Sequence, residues 1–181
     1  MERTKAIEAF LAEVERRALK IAELGLGNTD DALDAVQEAM MKLVSRYAAR
    51  PPPEWAPLFY RILENRITDG LRRRNVRGRF FAWPGGARDG EDDDEDPLAR
   101  FPDREALQPE AQLLAREAVD RVQDALAKLP RRQQQAVLLR AWEGLDVAAT
   151  AAAMNCSEGS VKTHYFRALQ SLKAVLEDLP P

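Results

Sequence analysis

Cysteine and histidine are nearly absent from this chain, which has only Cys156 and His164. A lone cysteine rules out an internal disulfide, and one cysteine with one histidine cannot assemble a zinc site. Long apolar runs are also missing, and no stretch approaches the roughly 20 residues of a membrane-spanning helix. The N-terminal MERTKAIEAFLAEVERR is charged throughout and lacks the apolar core of a signal peptide. No glycine-rich phosphate loop and no nucleophile accompany His164, so no catalytic residue, metal or cofactor is expected. A reducing cytoplasm is the simplest compartment for such a chain.

Charge is abundant but unevenly spread. The total is 27 basic against 30 acidic residues, a net charge of −3 over 181 residues. From Phe59 to Arg79 seven arginines face only Glu64 and Asp69, whereas from Asp89 to Glu110 ten acids face only Arg100 and Arg104. The whole-chain balance therefore conceals a basic segment suited to a polyanion and an acidic one directly after it.

Hydrophobic periodicity is helical wherever it is sustained, and no strand pattern or repeat occurs. Ile7, Phe10, Leu11, Val14, Ala18 and Ile21 mark a first helix, ended by the turn-forming GLGNTDD. Asp30 or Asp31 is expected to cap a second helix, with Leu33, Val36, Met40, Leu43, Val44 and Tyr47 on its inner side. The prolines of ARPPPEW end it. A third helix runs from about Trp55 through LFYRILENRITDGLRRR. It has an inner stripe of Tyr60, Leu63, Ile67 and Leu71 and a polar stripe of Arg61, Asn65, Thr68 and Arg72.

Residues 80–112 lose periodicity and read as a flexible acidic linker. Helical spacing returns from Leu113, with a stripe of Val119, Val122, Leu126 and Leu129. A helix from Arg131 to Trp142 follows, closed by Gly144. The expected architecture is all-α. A three-to-four-helix N-terminal bundle (1–79) and a four-helix C-terminal domain (113–181) are joined by the linker.

The final stretch has the grammar of a helix-turn-helix. A short helix from about Asp146 to Met154 carries Ala151, where close helix packing favours a small residue. Asn155 tolerates a left-handed turn, and Ser157 can cap the second helix. Val161, Tyr165, Ala168, Leu169, Leu172 and Leu176 point inward on that helix, whereas Lys162, Thr163, Phe166, Arg167 and Gln170 form the other face. Lysine and arginine can neutralise phosphates or reach guanine edges, and threonine and phenylalanine can touch a thymine methyl. The alternative is an ordinary amphipathic helix on a solvated bundle. On the N-terminal side, Arg72, Arg73, Arg74, Arg77 and Arg79 extend the polar stripe. With Trp55, Phe59 and Tyr60 nearby they suit unpaired bases, since a base stacks on an aromatic while arginine holds the backbone. Tyr60 and Phe59 also fit a core position, and Trp55, beside the proline-rich loop, fits core or base contact equally. Cys156 is expected as a small buried hydrophobe.

The order of these parts resembles bacterial RNA polymerase sigma factors, in particular the two-domain extracytoplasmic-function (ECF) group. DDALDAVQEAMMKL is similar to the helix that docks on the polymerase clamp. LFYRILENRITDGLRRR is similar to the helix that reads and melts the −10 element. LPRRQQQAVLLRAWEGLDVAATAAAMNCSEGSVKTHYFRAL is similar to region 4, whose second helix reads the −35 element. The resemblance implies that Asp34, Gln37 and Glu38 face the clamp of the large polymerase subunit. Asn65 would lie near a flipped −10 base, with Arg61 and Thr68 on the same face and AARPPPEW as the base-accepting loop. Trp55, Arg72, Arg73 and Arg74 complete the implied −10 contacts. Lys162, Thr163, Phe166 and Arg167, with Ser160 at the helix start, would contact −35 DNA.

The implied partners are core polymerase and promoter DNA, and the family also admits an anti-sigma factor. Ala148, Ala149 and Thr150 replace the acidic residues and isoleucine common in the family's first helix-turn-helix helix, and Leu58 replaces a common tryptophan. The alternative function is a two-domain helix-turn-helix regulator that is not a polymerase subunit. For the acidic run Asp89–Asp96 three roles stand open: a polyanion mimic in a polymerase channel, a shield for the arginines, or a solubilising spacer.

Overall fold

The structure, a computed structural model, describes residues 2–80 and 109–177, with side chains for 2–76 and 112–177. Residues 81–108 of the expected linker, with the acidic run, lie outside the described residues, as do the side chains of Arg77 and Arg79. All described regular structure is helical.

Helix α1 (Glu2–Leu26) buries Ile7, Val14, Ala18, Ile21, Ala22 and Leu26 on one face. It stops at Gly27, whose φ of 66° and N–H bond to the Glu23 carbonyl form a left-handed C-terminal cap. Helix α2 (Thr29–Tyr47) is capped by Asn28 rather than by an aspartate: Asn28 Oδ1 accepts from the Asp31 N–H at 2.9 Å. Asp30 and Asp31 instead occupy the first turn, where a negative charge complements the helix dipole.

Helix α3 (Pro52–Phe80) starts three residues before the expected Trp55. Pro52 and Pro53 fall in its first turn, where no backbone N–H finds an intrahelical partner, so the prolines that stop α2 also start α3. Its N-terminal half carries the aromatic core. Phe10 lies 5.9 Å from Trp55 and 6.2 Å from Phe59, and Phe59 stacks edge-on against Tyr60 at 5.1 Å. Further along, α1 and α3 approach so closely that two glycines are needed. A Cβ on Gly25 would stand 2.8 Å from Ile67 Cγ2, and one on Gly70 would stand 2.8 Å from Leu26 Cδ2.

The C-terminal half contains α4 (Pro109–Lys128), α5 (Arg131–Val137), α6 (Val147–Met154) and α7 (Glu158–Glu177). Helix α4 starts at Pro109, inside the stretch expected to be linker; proline suits the first helical position. Helix α5 runs on into a π turn at Leu138–Trp142, where Glu143 N–H bonds the Leu138 carbonyl five residues back, before Gly144 turns the chain at φ 71°.

The two halves do not stand apart. Buried residues of α1–α3 and of α5–α7 belong to one continuous apolar cluster, and α6 packs along α3. Sequence periodicity indicated two bundles but not this shared seam.

Candidate nucleic-acid interface

The helix-turn-helix forms as its residue types require. Asp146 caps α6 by accepting from the Ala149 N–H at 2.7 Å. Asn155 ends α6 in the left-handed conformation, φ 52° and ψ 51°. Ser157 Oγ accepts from the Ser160 N–H at 3.1 Å and lies 2.9 Å from the Ser160 hydroxyl. Ser160 is therefore engaged in the cap and only partly accessible. Thr150 and Ala151 pack inside, and Val161 carries α7 back to the core.

Helix α7 then divides by environment. Val161, Ala168 and Leu172 are buried and Tyr165 is half-buried under the Arg140 guanidinium, 5.8 Å from its ring centre. Leu169 and Leu176, expected inside, are exposed, because the inward stripe is narrower than periodicity alone indicated. On the outer face Lys162, Thr163, Phe166 and Arg167 are all exposed, and Thr163 satisfies its hydroxyl on the Gly159 carbonyl. Phe166 is 61% exposed, a large aromatic held in solvent between cations. His164 beside them has its pKa lowered by burial and by Arg132 and Arg167, which favours the neutral imidazole.

The N-terminal candidate surface is rearranged. Trp55 is 2% exposed, and Phe59 and Tyr60 are fully buried, so these aromatics are core and offer no stacking platform. The correction for Trp55 has a simple cause: α3 begins at Pro52, which turns Trp55 onto Phe10 instead of into the proline-rich loop. Asn65 is exposed. Thr68 is half-buried and donates to the Glu64 carbonyl at 2.9 Å. Arg61 donates from Nη2 to Asn155 Oδ1 at 2.8 Å, across the seam and into the turn of the helix-turn-helix. Arg72, Arg73 and Arg74 are exposed along the end of α3, with Arg74 paired to Asp31 at 3.4 Å.

Helix α2 presents a third face. Asp34, Gln37 and Glu38 are exposed, and Glu38 pairs with Arg66 of α3 at 3.0 Å. Between them run Leu33, Met41 and Val44, which are 50%, 66% and 45% exposed. Leu33 and Val44 were expected inside. They lie instead on an apolar stripe at spacings of eight and three residues, beside the acids. The missed signal was an apolar pattern too wide for one buried face.

Sequence reasoning also missed the polar seam. Glu64 is 4% exposed and accepts from Arg131 Nη2 and from Gln135 Nε2, both on α5. Desolvation raises its pKa although Arg131, Gln135 and Arg132 pull the other way. Arg17 of α1 binds Glu143 beyond the π turn. Spacing held a clue to Glu64, since Tyr60, Glu64, Ile67 and Leu71 fall on one helical stripe.

The fold and these faces define an all-α protein with an N-terminal three-helix unit and a C-terminal helix-turn-helix unit. The family described as Sigma-70 region 2 matches residues 6–77, and Sigma-70, region 4 matches residues 120–172. An RNA polymerase sigma-E factor from Streptomyces avermitilis is 31% identical over 148 residues, 81% of this chain and 72% of the relative. The ECF RNA polymerase sigma factor SigD of Mycobacterium tuberculosis is 30% identical over 148 residues. That match covers 81% of this chain and 62% of the SigD length. The chain belongs to the RNA polymerase sigma-factor family, and within it to the ECF group.

The fold is shared with a solved sigma factor RpoE from Bartonella quintana in complex with the anti-sigma factor NepR. The TM-score is 0.61 at 21% identity, covering 94% of this chain and 98% of that one. CnrH in complex with the cytosolic domain of CnrY gives 0.58 at 21% identity, covering 96% and 89%.

Proposed function

We propose that this chain is a promoter-specificity subunit of RNA polymerase. The observation that carries this reading is the outer face of α7, where Lys162, Thr163, Phe166 and Arg167 stand exposed on a doubly capped helix-turn-helix. Such a helix fits the major groove of duplex −35 DNA, its cations on phosphates or guanine and its aromatic on thymine. Helix α2, with Asp34, Gln37 and Glu38 around exposed Leu33, Met41 and Val44, docks on the clamp of the large polymerase subunit. Helix α3 contributes Asn65, Arg61, Thr68 and Arg72–Arg74 to the −10 element. Residues 1–79 and 113–181 act as the two reading units, and the segment 80–112 joins them.

In this reading the chain makes and breaks no covalent bonds. It opens DNA by binding unstacked bases more tightly than paired ones, against a cost of a few kcal/mol per flipped base. The solved RpoE of the same fold is in complex with the anti-sigma factor NepR, which supports a protein inhibitor as a further partner here. No described helix is long and apolar enough to cross a membrane, which supports action in the cytoplasm. The test is run-off transcription with purified core polymerase on promoter fragments selected by the reconstituted holoenzyme. Specific starts that require this chain are expected; starts equally frequent without it would overturn the reading. A regulator outside the polymerase would instead bind DNA specifically with no effect of core enzyme.

A further inference from the structure

We propose that α3 supplies the second wall of the polymerase-docking face on α2. Arg66 and Arg74 hold the two outer acids of α2, which leaves Asp34 alone to take one cationic side chain of the partner, seated in a notch over Gly70. This rests on the promoter reading above and names the chemistry by which α2 docks.

The two helices meet through charges in register. Arg66 Nε lies 3.0 Å from Glu38 Oε2, and Arg74 Nη2 lies 3.4 Å from Asp31 Oδ2. Glu38 follows Asp31 along α2, whereas its partner Arg66 precedes Arg74 along α3, so the helices run antiparallel. Residues three and four apart share a helix face, so Asp31, Asp34 and Glu38 align on α2 as Arg66, Gly70 and Arg74 do on α3. The middle position therefore has a carboxylate on one side and no side chain on the other. Between them lies a notch of about 310 Å³, with the buried Leu26 and Ala35 at its floor. Packing against α1 keeps it open: a Cβ at Gly70 would stand 2.8 Å from Leu26 Cδ2.

Hydrogen-bond accounting fixes the sign of the occupant. Arg73, which also borders the notch, donates from Nε to the Asp69 carbonyl of its own helix at 3.4 Å. Each arginine at the notch thus has an acceptor, whereas the exposed Asp34 has no partner among the described residues. A free carboxylate above an apolar floor suits an arginine or lysine, whose charged head reaches Asp34 while its alkyl stem covers Leu26 and Ala35. Arg66 acts as a positioning residue: by engaging Glu38 it keeps the incoming cation from settling one turn away. All four paired side chains reach solvent, so the pairs add little to stability and substitutions there leave the fold intact.

The test is fluorescence anisotropy of the labelled full chain with core polymerase and no DNA, with thermal melting of every variant alongside. Asp34→Asn should weaken binding about tenfold at low salt, the factor for one charge-assisted hydrogen bond, and less as salt is raised. In an Arg66→Gln background the same substitution should cost no more than about twofold, because Glu38 is then free to take the cation. Arg66→Lys keeps the pair with Glu38 and should restore the full loss. A merely structural role for Arg66 would give equal Asp34→Asn losses in all three backgrounds, and that result overturns the positioning of Glu38. Unchanged affinity of Asp34→Asn, with wild type binding normally, overturns the notch as the docking point. A wild type that does not bind core enzyme at all overturns the promoter reading itself, so the two failures are distinct.

Discussion

Arg17 on α1 and Glu143 beyond the π turn are bonded across the two halves of the chain, with Arg17 Nε 3.1 Å from Oε1 and 3.2 Å from Oε2. The Glu143 side chain is only 2% exposed, whereas that of Arg17 is 38% exposed. Replacing Arg17 with alanine strands a buried carboxylate beside Tyr60. Breaking a fully buried pair costs about 3–5 kcal/mol; solvent reaches Arg17, so about 1–2 kcal/mol is expected here. Urea unfolding of R17A against wild type measures it, and a change below about 0.5 kcal/mol would class the pair with ordinary surface bridges.

Stability has a pH dependence of definite sign. Burial raises the pKa of Glu64 against Arg131, Gln135 and Arg132, and raises that of Glu143 against Tyr60 and Arg17, with Glu13 adding to the rise. A carboxyl whose folded pKa is raised binds protons more readily when folded. Its contribution is complete below the unfolded value and is lost as pH rises through the folded value. The affected window therefore begins at the ordinary glutamate value of 4.5 and extends upward. Glu64→Gln cannot ionise, so its stability relative to wild type should improve as pH rises from 5 to 7. Denaturant midpoints at the two pH values give the comparison; a constant difference would contradict the assignment.

The exposed stripe on α2 separates binding from folding. Leu33→Ser and Met41→Ser change side chains that already face solvent, so stability should move by no more than about 0.5 kcal/mol. If the stripe docks on polymerase, each should weaken core binding by about 1–2 kcal/mol, as truncation of apolar interface residues does. Fluorescence anisotropy with core enzyme, beside thermal melting, distinguishes the two. Equal affinity for the double variant would remove the stripe from the interface.

On α7, Lys162 and Phe166 should differ in kind. Lys162→Ala should weaken duplex binding across all sequences and lower the salt slope by about one unit, the behaviour of a phosphate contact. Phe166→Ala should cost about 1–3 kcal/mol on the preferred sequence and little elsewhere, because an aromatic reads a base and not the backbone. Binding titrations over a range of salt, with preferred and scrambled duplexes, separate them. Identical losses on both duplexes for F166A would remove Phe166 as a reader.

Much of the site was legible beforehand because local rules set it. The left-handed Asn155, the Ser157 cap and the outward Lys162, Thr163, Phe166 and Arg167 follow from backbone sterics, free N–H groups and a 3.6-residue period, all of which act within a few residues. The misplacements came where a stripe could serve two partners. Leu33 and Val44 are apolar at helical spacing, and spacing does not say whether the covering surface belongs to the same chain. Trp55 is core and not a base contact because Pro52 starts α3 and so turns Trp55 onto Phe10.

Local rules along the chain suffice for the existence of the helices, the turn and caps of the helix-turn-helix, the division into basic and acidic segments, and the order of parts that marks the family. Long-range packing sets the rest: α6 lies against α3, Glu64 is buried and answered by Arg131 and Gln135, and Arg17 finds Glu143. These pairs are separated by 67, 71 and 126 positions. Periodicity carries no information over such distances, because which faces meet depends on how whole helices exclude water together.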